Sequence, residues 1–317
     1  MGSQEKPRIV SLLASATEIV ASLGLEECLV GISHECDHPA QVLDRPRLSR
    51  PRFDPEGLSS TEIDAAVRHA MAEHGSVYAI DDAQLARLDP DLVLTQAVCE
   101  VCAVPTPGVR EVVAACGLHA AVVSLDAHTI EEILDTILVV GQATGVAERA
   151  RDLVRGLEQR MAAVSSAVQR RLRPRVLAIE WLGPPFLPGH WVPEQIELAG
   201  GVCLAGEAGS HSRQVDWKDL EGLDPDVLIL MPCGYGLEAS RAEADRAAER
   251  LLELAPRAIE ADRAFVVDGS SYFNRSGPRV VDGVEILAAL LHPGAVARTL
   301  TGVAEKWGTA LQRGGGH

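Results

Sequence analysis

Two stretches of this sequence follow one plan. LDPDLVLTQAVCE occupies 88–100 and LDPDVLILMPCGY occupies 223–235; in each, a Leu-Asp-Pro-Asp turn feeds an apolar run that ends at a cysteine and a loop. An apolar run without alternation reads as a strand buried on both faces, as in a parallel sheet covered by helices. Two further pairs align more loosely, 8–24 with 175–201 and 122–133 with 265–277. Between the copies lies 145–172, GVAERARDLVRGLEQRMAAVSSAVQRRL, which contains no Pro and is rich in good helix formers. Its apolar residues Ala150, Leu153, Val154, Leu157, Met161 and Val164 make one helical stripe. About 25 helical residues at ~1.5 Å each span roughly 37 Å. The expected fold is therefore α/β: two similar lobes with mainly parallel sheets, joined by one long α-helix, with a ligand cleft between them. The N-terminal lobe takes 1–128, the linker helices 129–172, the C-terminal lobe 173–311 and a disordered tail 312–317.

Read in order, 8–13 is a first strand. Ser15 is expected to cap the helix after it, with Glu18 as capping-box partner. A strand over 29–32 leads into the loop SHECDHP, 33–39, and an Arg- and Pro-rich extended loop covers 46–57. Ser59 or Ser60 caps a helix over 61–74, and further helices are expected over 109–116, 130–144, 239–254 and 280–291. The stretch 181–190 reads as a stiff exposed loop, with Pro193 opening the next helix.

Composition narrows the function. At 317 residues the chain is long enough for two ordinary domains. A formal net charge of −16 argues against binding nucleic acid or an anionic membrane. No apolar stretch is long enough to insert in a bilayer, and MGSQEKPRIV has no signal-peptide core. Seven cysteines in no framework spacing fit a reduced cytoplasm, the expected location.

In parallel sheets, ligands meet the loops at the carboxyl ends of strands. Those loops here are 33–39, 96–107, 181–190, 232–237 and 269–279. They hold Trp181, Phe186, His190, Trp191, Tyr235, Tyr272, Phe273 and Arg275. Aromatics gathered on such loops suit stacking against a flat or bulky ligand, or else they plug the lobe interface. Arg275 suits a ligand carboxylate or phosphate. Cys99 and Cys102 form a single CxxC, which reads as half a metal or redox site or as two small buried residues. A metal reading needs donors from another loop, and His34 and Cys36 supply them, with Glu35, Asp37, His38 and Glu180 nearby in type. Such a mixed Cys/His set suits zinc or another thiophilic metal. The bland reading of SHECDHP is a polar turn. There is no Gly-x-Ser-x-Gly elbow, P-loop or HExxH.

The segments RIVSLLASATEIVASLGLEECLVGIS, LDPDLVL, the long helix and YFNRSGPRVVDGVEILAALLHP resemble the class III substrate-binding proteins. These serve ABC-type uptake transporters for vitamin B12, iron-siderophores and haem, and the resemblance leans to the cobalamin-binding branch. It implies a binding protein that holds cobalamin or a similar bulky metal chelate, with His34 or His190 as a candidate axial ligand of cobalt. The alternative is a cytoplasmic metal- or thiol-dependent enzyme or metal carrier using the Cys/His loops. Transport members also carry a glutamate on each lobe that docks to the permease; Ala83 and Lys218 occupy those positions here, with Asp81, Asp82 and Asp219 close by. The resemblance therefore makes permease docking the weaker expectation.

Overall fold

A computed structural model describes residues 6–97 and 105–308. The chain divides into two compact units, one of residues 1–58, 63–127 and 131–155, the other of 59–62, 128–130 and 156–317. The helices expected as a separate linker are thus shared out between the units.

The first unit begins with β1 (Ile9–Ser11), α1 (Ala14–Ser22) and β2 (Leu29–Ile32), followed by β3 (Ser49–Pro51), α2 (Ser60–His74), β4 (Tyr78–Ile80) and α3 (Asp82–Leu88). It continues with β5 (Leu92–Thr95), α4 (Thr106–Ala115), β6 (Ala121–Ser124), α5 (Ile130–Ala143) and α6 (Ala147–Val168). Its main sheet has the order β2-β1-β5-β6, all parallel. β3 and β4 pair antiparallel, and β3 lies inside the stretch 46–57 expected as extended loop. Val10, Leu12, Leu48, Leu85, Val93, Val109 and Val113 make a core on one side of this sheet. Gly145, at φ +74°, separates α5 from α6 as expected.

The second unit holds β7 (Arg175–Ile179), β8 (Trp181–Leu182), β9 (Pro185–Leu187), α7 (Val192–Leu198), β10 (Val202–Cys203) and β11 (Arg213–Gln214). Then come β12 (Val227–Leu230), α8 (Leu237–Arg246), α9 (Ala248–Leu254), α10 (Pro256–Glu260), β13 (Ala264–Val267), α11 (Gly269–Tyr272), α12 (Val280–Leu291) and β14 (Ala304–Lys306). Its sheet order is β10-β7-β12-β13-β14, parallel except for β14 at the edge. Its first four strands repeat the connectivity of the first unit, so the duplication read in the sequence is a duplication of topology.

The repeated Leu-Asp-Pro-Asp turn has a mechanical role that is the same in both units. Asp89 and Asp224 adopt φ of 40° and 42°, the left-handed turn that ends the preceding segment. Two residues later a carboxylate accepts a bond from the first strand: Arg8 N–H donates to Asp91 Oδ2 (2.8 Å) and Arg175 N–H to Asp226 Oδ2 (2.8 Å). The same two arginines return their guanidinium groups to the turn carbonyls, Arg8 Nη2 to Leu88 O (2.7 Å) and Arg175 Nη2 to Leu223 O (2.6 Å). The first and third strands of each sheet are registered by this clamp.

Four local expectations are corrected. α1 starts at Ala14 with Leu13 as N-cap and no side-chain cap bond. Ser15 instead lies buried inside the first turn, because the chain leaves β1 through a turn closed by Ser11 Oγ on Leu13 O (2.8 Å). α4 begins at Thr106, three residues before the expected start, with Pro107 in its first turn, where a missing N–H costs nothing. The helix expected over 239–254 is broken at Ala247 into α8 and α9. The stretch 181–190 is not an exposed loop but a hairpin, β8 and β9, extended by antiparallel β11, with Leu182 and Leu187 in the core. The tail over 312–317 lies outside the described residues.

The clamp gives a direct test. Asp91→Ala and Asp226→Ala should each destabilise the protein by about 1–2 kcal/mol, because each strips a strand N–H of its partner and two guanidinium contacts of their frame. Urea unfolding measures this; a loss below about 0.5 kcal/mol in both variants would deny the clamp its role.

Candidate functional site

In each sheet the strand order reverses between the first and third strands, and in parallel sheets the carboxyl edge at such a point is where ligands bind. In the second unit these strands are β7 and β12. The residues that follow them are Glu180 and Trp181 on one side and Met231 to Tyr235 on the other. Cys233 N–H donates to Glu180 O (2.9 Å), tying the two exits together. The Trp181 and Tyr235 rings pack at 5.3 Å between centroids, tilted by 56°. Both are half-buried. Trp181 Nε1 donates to Gly183 O (3.1 Å), which fixes the indole. Burial pushes the Tyr235 hydroxyl up from its ordinary pKa, so it stays a neutral donor.

Other expected ligand contacts are placed differently. Phe186, on β9, is half-buried. Trp191 is buried and donates from Nε1 to Phe273 O (2.7 Å). Phe273 is fully buried, so it belongs to the core and not to a stacking platform. Gln195 Nε2 ties the same loop down through Tyr272 O (3.0 Å) and Val280 O (2.8 Å). Arg275 is also buried and donates to Ser270 Oγ (3.3 Å) in its own loop, so an anchor for a ligand anion is not displayed there. Tyr272 stays half-buried, with the Arg279 and Arg298 guanidinium carbons 5.5 and 5.9 Å from its ring centroid. That is a cation–π arrangement within the protein.

The first unit corrects the metal expectation for the SHECDHP loop. Cys36 is buried against Ala14 and Ile32, with its Sγ 3.1 Å from Thr17 Oγ1. His34 stacks on Tyr78 at 4.8 Å, shares a hydrogen bond between Nδ1 and Ser49 Oγ (2.8 Å), and meets Glu35 Oε1 through Nε2 (3.1 Å). The thiol and the imidazole are thus held in separate local contacts, and the loop's backbone is held by Arg47, whose Nη1 donates to His34 O (2.7 Å) and Cys36 O (3.1 Å). Among the described residues no group of three His, Cys, Asp or Glu side chains is set around a metal position. Cys99 and Cys102 lie outside the described residues. Of the docking positions, Ala83 is exposed on α3, and Lys218 is exposed and paired with Asp216 (3.3 Å). Asp81 caps α3 through Gln84 N–H (2.8 Å), and Asp219 completes a capping box with Asp216, so both acids nearby already serve local turns.

His190 keeps its expected place on the ligand-side loop, with two neighbours that sequence reasoning missed. Its ring lies 5.6 Å from that of His128 and 5.2 Å from that of His211. The three residues come from separate segments with no shared spacing, so no sequence signal joined them. Glu180, buried at the end of β7, accepts from Ser212 Oγ (2.6 Å), next to His211. Burial, with His211 and His128 beside it, pushes the His190 imidazole down to about 4.

Comparison with known proteins follows this geometry closely. The pattern of the family described as "Periplasmic binding protein" matches residues 9–268. The chain belongs to that family. It is 22% identical over 296 residues, 92% of this chain and 81% of the relative, to the uncharacterized ABC transporter substrate-binding lipoprotein YvrC of Bacillus subtilis. It is 23% identical over 302 residues, 91% of this chain and 70% of the relative, to a protein of Halobacterium salinarum named cobalamin-binding protein. A periplasmic heme binding protein from Pseudomonas aeruginosa superposes with a TM-score of 0.69 at 21% identity, covering 95% of this chain and 97% of that one. The duplicated α/β architecture is therefore the architecture of this family.

The depressed imidazoles predict a pH dependence with a definite sign. His190 and the buried His292 both have pKa values below the ordinary 6.5, each chiefly through burial. Below that value the unfolded chain takes up protons that the folded chain refuses. Their contribution to stability is complete above about 6.5 and is lost as pH falls below it, for His190 down to about 4. Urea midpoints measured at pH 7, 6 and 5 in a chelator should fall, and His190→Gln should flatten the slope; an unchanged slope would contradict the burial of this ring.

Proposed function

We propose that this chain is a ligand-binding protein of the ABC-transporter type and that its ligand is a cobalamin or a similar bulky, flat metal chelate. The Trp181–Tyr235 pair carries this reading. Two half-buried rings in contact stand at the carboxyl edge of a parallel sheet, where the strand order reverses, and aromatic surface there suits a macrocycle. Family membership and the names of the relatives support the same class: cobalamin in the Halobacterium protein and heme in the Pseudomonas structure. The metal- or thiol-dependent enzyme that uses the Cys/His loops gains no support, because the Cys36 thiol is enclosed by the core and, among the described residues, no group of three His, Cys, Asp or Glu side chains is set around a metal position.

The test is an absorbance-monitored titration of the full chain with aquocobalamin and, separately, with hemin. Saturable binding of the corrinoid is expected. Trp181→Ala should weaken it by about tenfold, near 1.4 kcal/mol, with Tyr235→Ala close behind. Binding of hemin alone would keep the class and change the ligand. Binding of neither at micromolar protein would sink the proposal.

A further inference from the structure

We propose that His128, His190 and His211 form a binding site for a first-row divalent cation of the borderline class, such as cobalt(II) or zinc. This proposal does not depend on the corrinoid reading. The three rings belong to one unit and contact one another pairwise, with centroids at 5.6, 5.6 and 5.2 Å. A point equidistant from three rings at these separations lies roughly 3 Å from each centroid. An imidazole–zinc bond of about 2.0–2.1 Å puts a metal at about that distance from a ring centre.

The rings do not yet present their nitrogens to that point. They meet at interplanar angles of 34°, 84° and 88°, and among the described residues no three such donors are already set around a metal. The motion required is small. The torsion that turns an imidazole is broad, and turning it sweeps a nitrogen across the width of the ring without moving the backbone.

Three features separate this cluster from ordinary ring packing. First, His190 Nδ1 is buried and has no hydrogen-bond partner. An unsatisfied buried polar atom costs about 1–3 kcal/mol, and ligation of a cation uses its lone pair. Second, the backbone under the rings is locked. His190 N–H donates to Ser210 O (2.6 Å) and Gly209 N–H donates to His190 O (2.9 Å). Gly189 has the backbone of Ser210, His211 and Ser212 where a Cβ would be, so the two loops approach closely only because that residue is glycine. His190 itself is held at φ +50°, a strained conformation for a side-chain-bearing residue, of the kind that persists at ligand clamps. Third, the cluster is open on one side, since His211 is exposed and His128 half-buried.

The donor set fixes the class of ion. Imidazole nitrogen suits zinc, cobalt, nickel and copper, whereas calcium and magnesium prefer oxygen. Three protein ligands also leave a fourth position for water or for a donor group on a bound ligand.

The experiment uses the full chain without a histidine tag, stripped of metal and titrated with cobalt(II) alone. One equivalent should bind, with visible bands of a nitrogen-ligated ion and no near-ultraviolet thiolate band, and zinc should displace it. His128→Ala and His190→Ala should each weaken binding by tenfold or more, while Cys99→Ser with Cys102→Ser should leave it unchanged. Thermal unfolding gives a second readout: cobalt should raise the midpoint of the parent chain and not that of His128→Ala, whose half-buried ring can be removed without opening the core. No saturable binding, a thiolate band abolished by the cysteine substitutions, or binding that survives His128→Ala and His190→Ala unchanged would each overturn the site.

Discussion

The structure depends on a bond that each sheet makes at its amino edge. A strand amide donates to the aspartate that ends the Leu-Asp-Pro-Asp turn, and an arginine one place before the strand core closes the turn's carbonyls. The turn's left-handed residue reverses the chain, the proline removes an amide that would have no partner, and the final aspartate fixes register. Register in a parallel strand buried on both faces is otherwise weakly specified, because no alternation of polar and apolar residues records it. With the first and third strands fixed at one end, their other ends open side by side. The clamp at the amino edge therefore fixes where the loops at the carboxyl edge begin.

The two units use this frame differently. In the first, the loop after β2 is drawn inward: Cys36 enters the core, Arg47 gathers the loop's carbonyls, and Thr17 links the thiol to Ser11 on β1. In the second, the loop after β7 folds into a hairpin that leaves Trp181 beside Tyr235, and the chain beyond it brings His190 against His128 and His211. Buried groups there remain incompletely satisfied, as His190 Nδ1 shows. Equal topology thus carries unequal chemistry, because the sheets set where loops emerge while the loops set what is displayed.

What could be read in advance follows from the range of each interaction. The inner strands of both sheets, the break at Gly145 and the bounds of α12 are encoded by local runs and punctuation, and these were legible, whereas the short edge strands β10 and β14 were not. The capping role of Ser15 failed because a serine near a helix start has two local options, and the turn closed by Ser11 Oγ on Leu13 O goes with an N-cap two residues upstream, at Leu13. The hairpin at 181–187 was read as exposed loop because its prolines suggest a break, whereas one of them, Pro185, lies in β9 at a position that needs no ladder amide. Trp191, Phe273 and Arg275 were legible as members of the ligand-side loops but not as inward-facing members. Side-chain direction there is decided by Gln195 and by the indole bond to Phe273 O, partners about 80 residues away in the chain.

The histidine cluster marks the limit of sequence reading most sharply. Metal-binding spacings are recognisable when ligands share a helix turn or a knuckle, because local geometry then fixes the donors. His128, His190 and His211 share no such element. They are brought together by Gly189, which lets one loop lie on the backbone of another, and by the two amide bonds that hold the loops in register. A glycine without a side chain is therefore the residue that assembles three side chains. Its role is invisible in one dimension, since nothing in the pattern around 189 distinguishes it from an ordinary turn glycine. Only the close approach of 210–212 shows that a Cβ at this point would separate the loops and disperse the imidazoles.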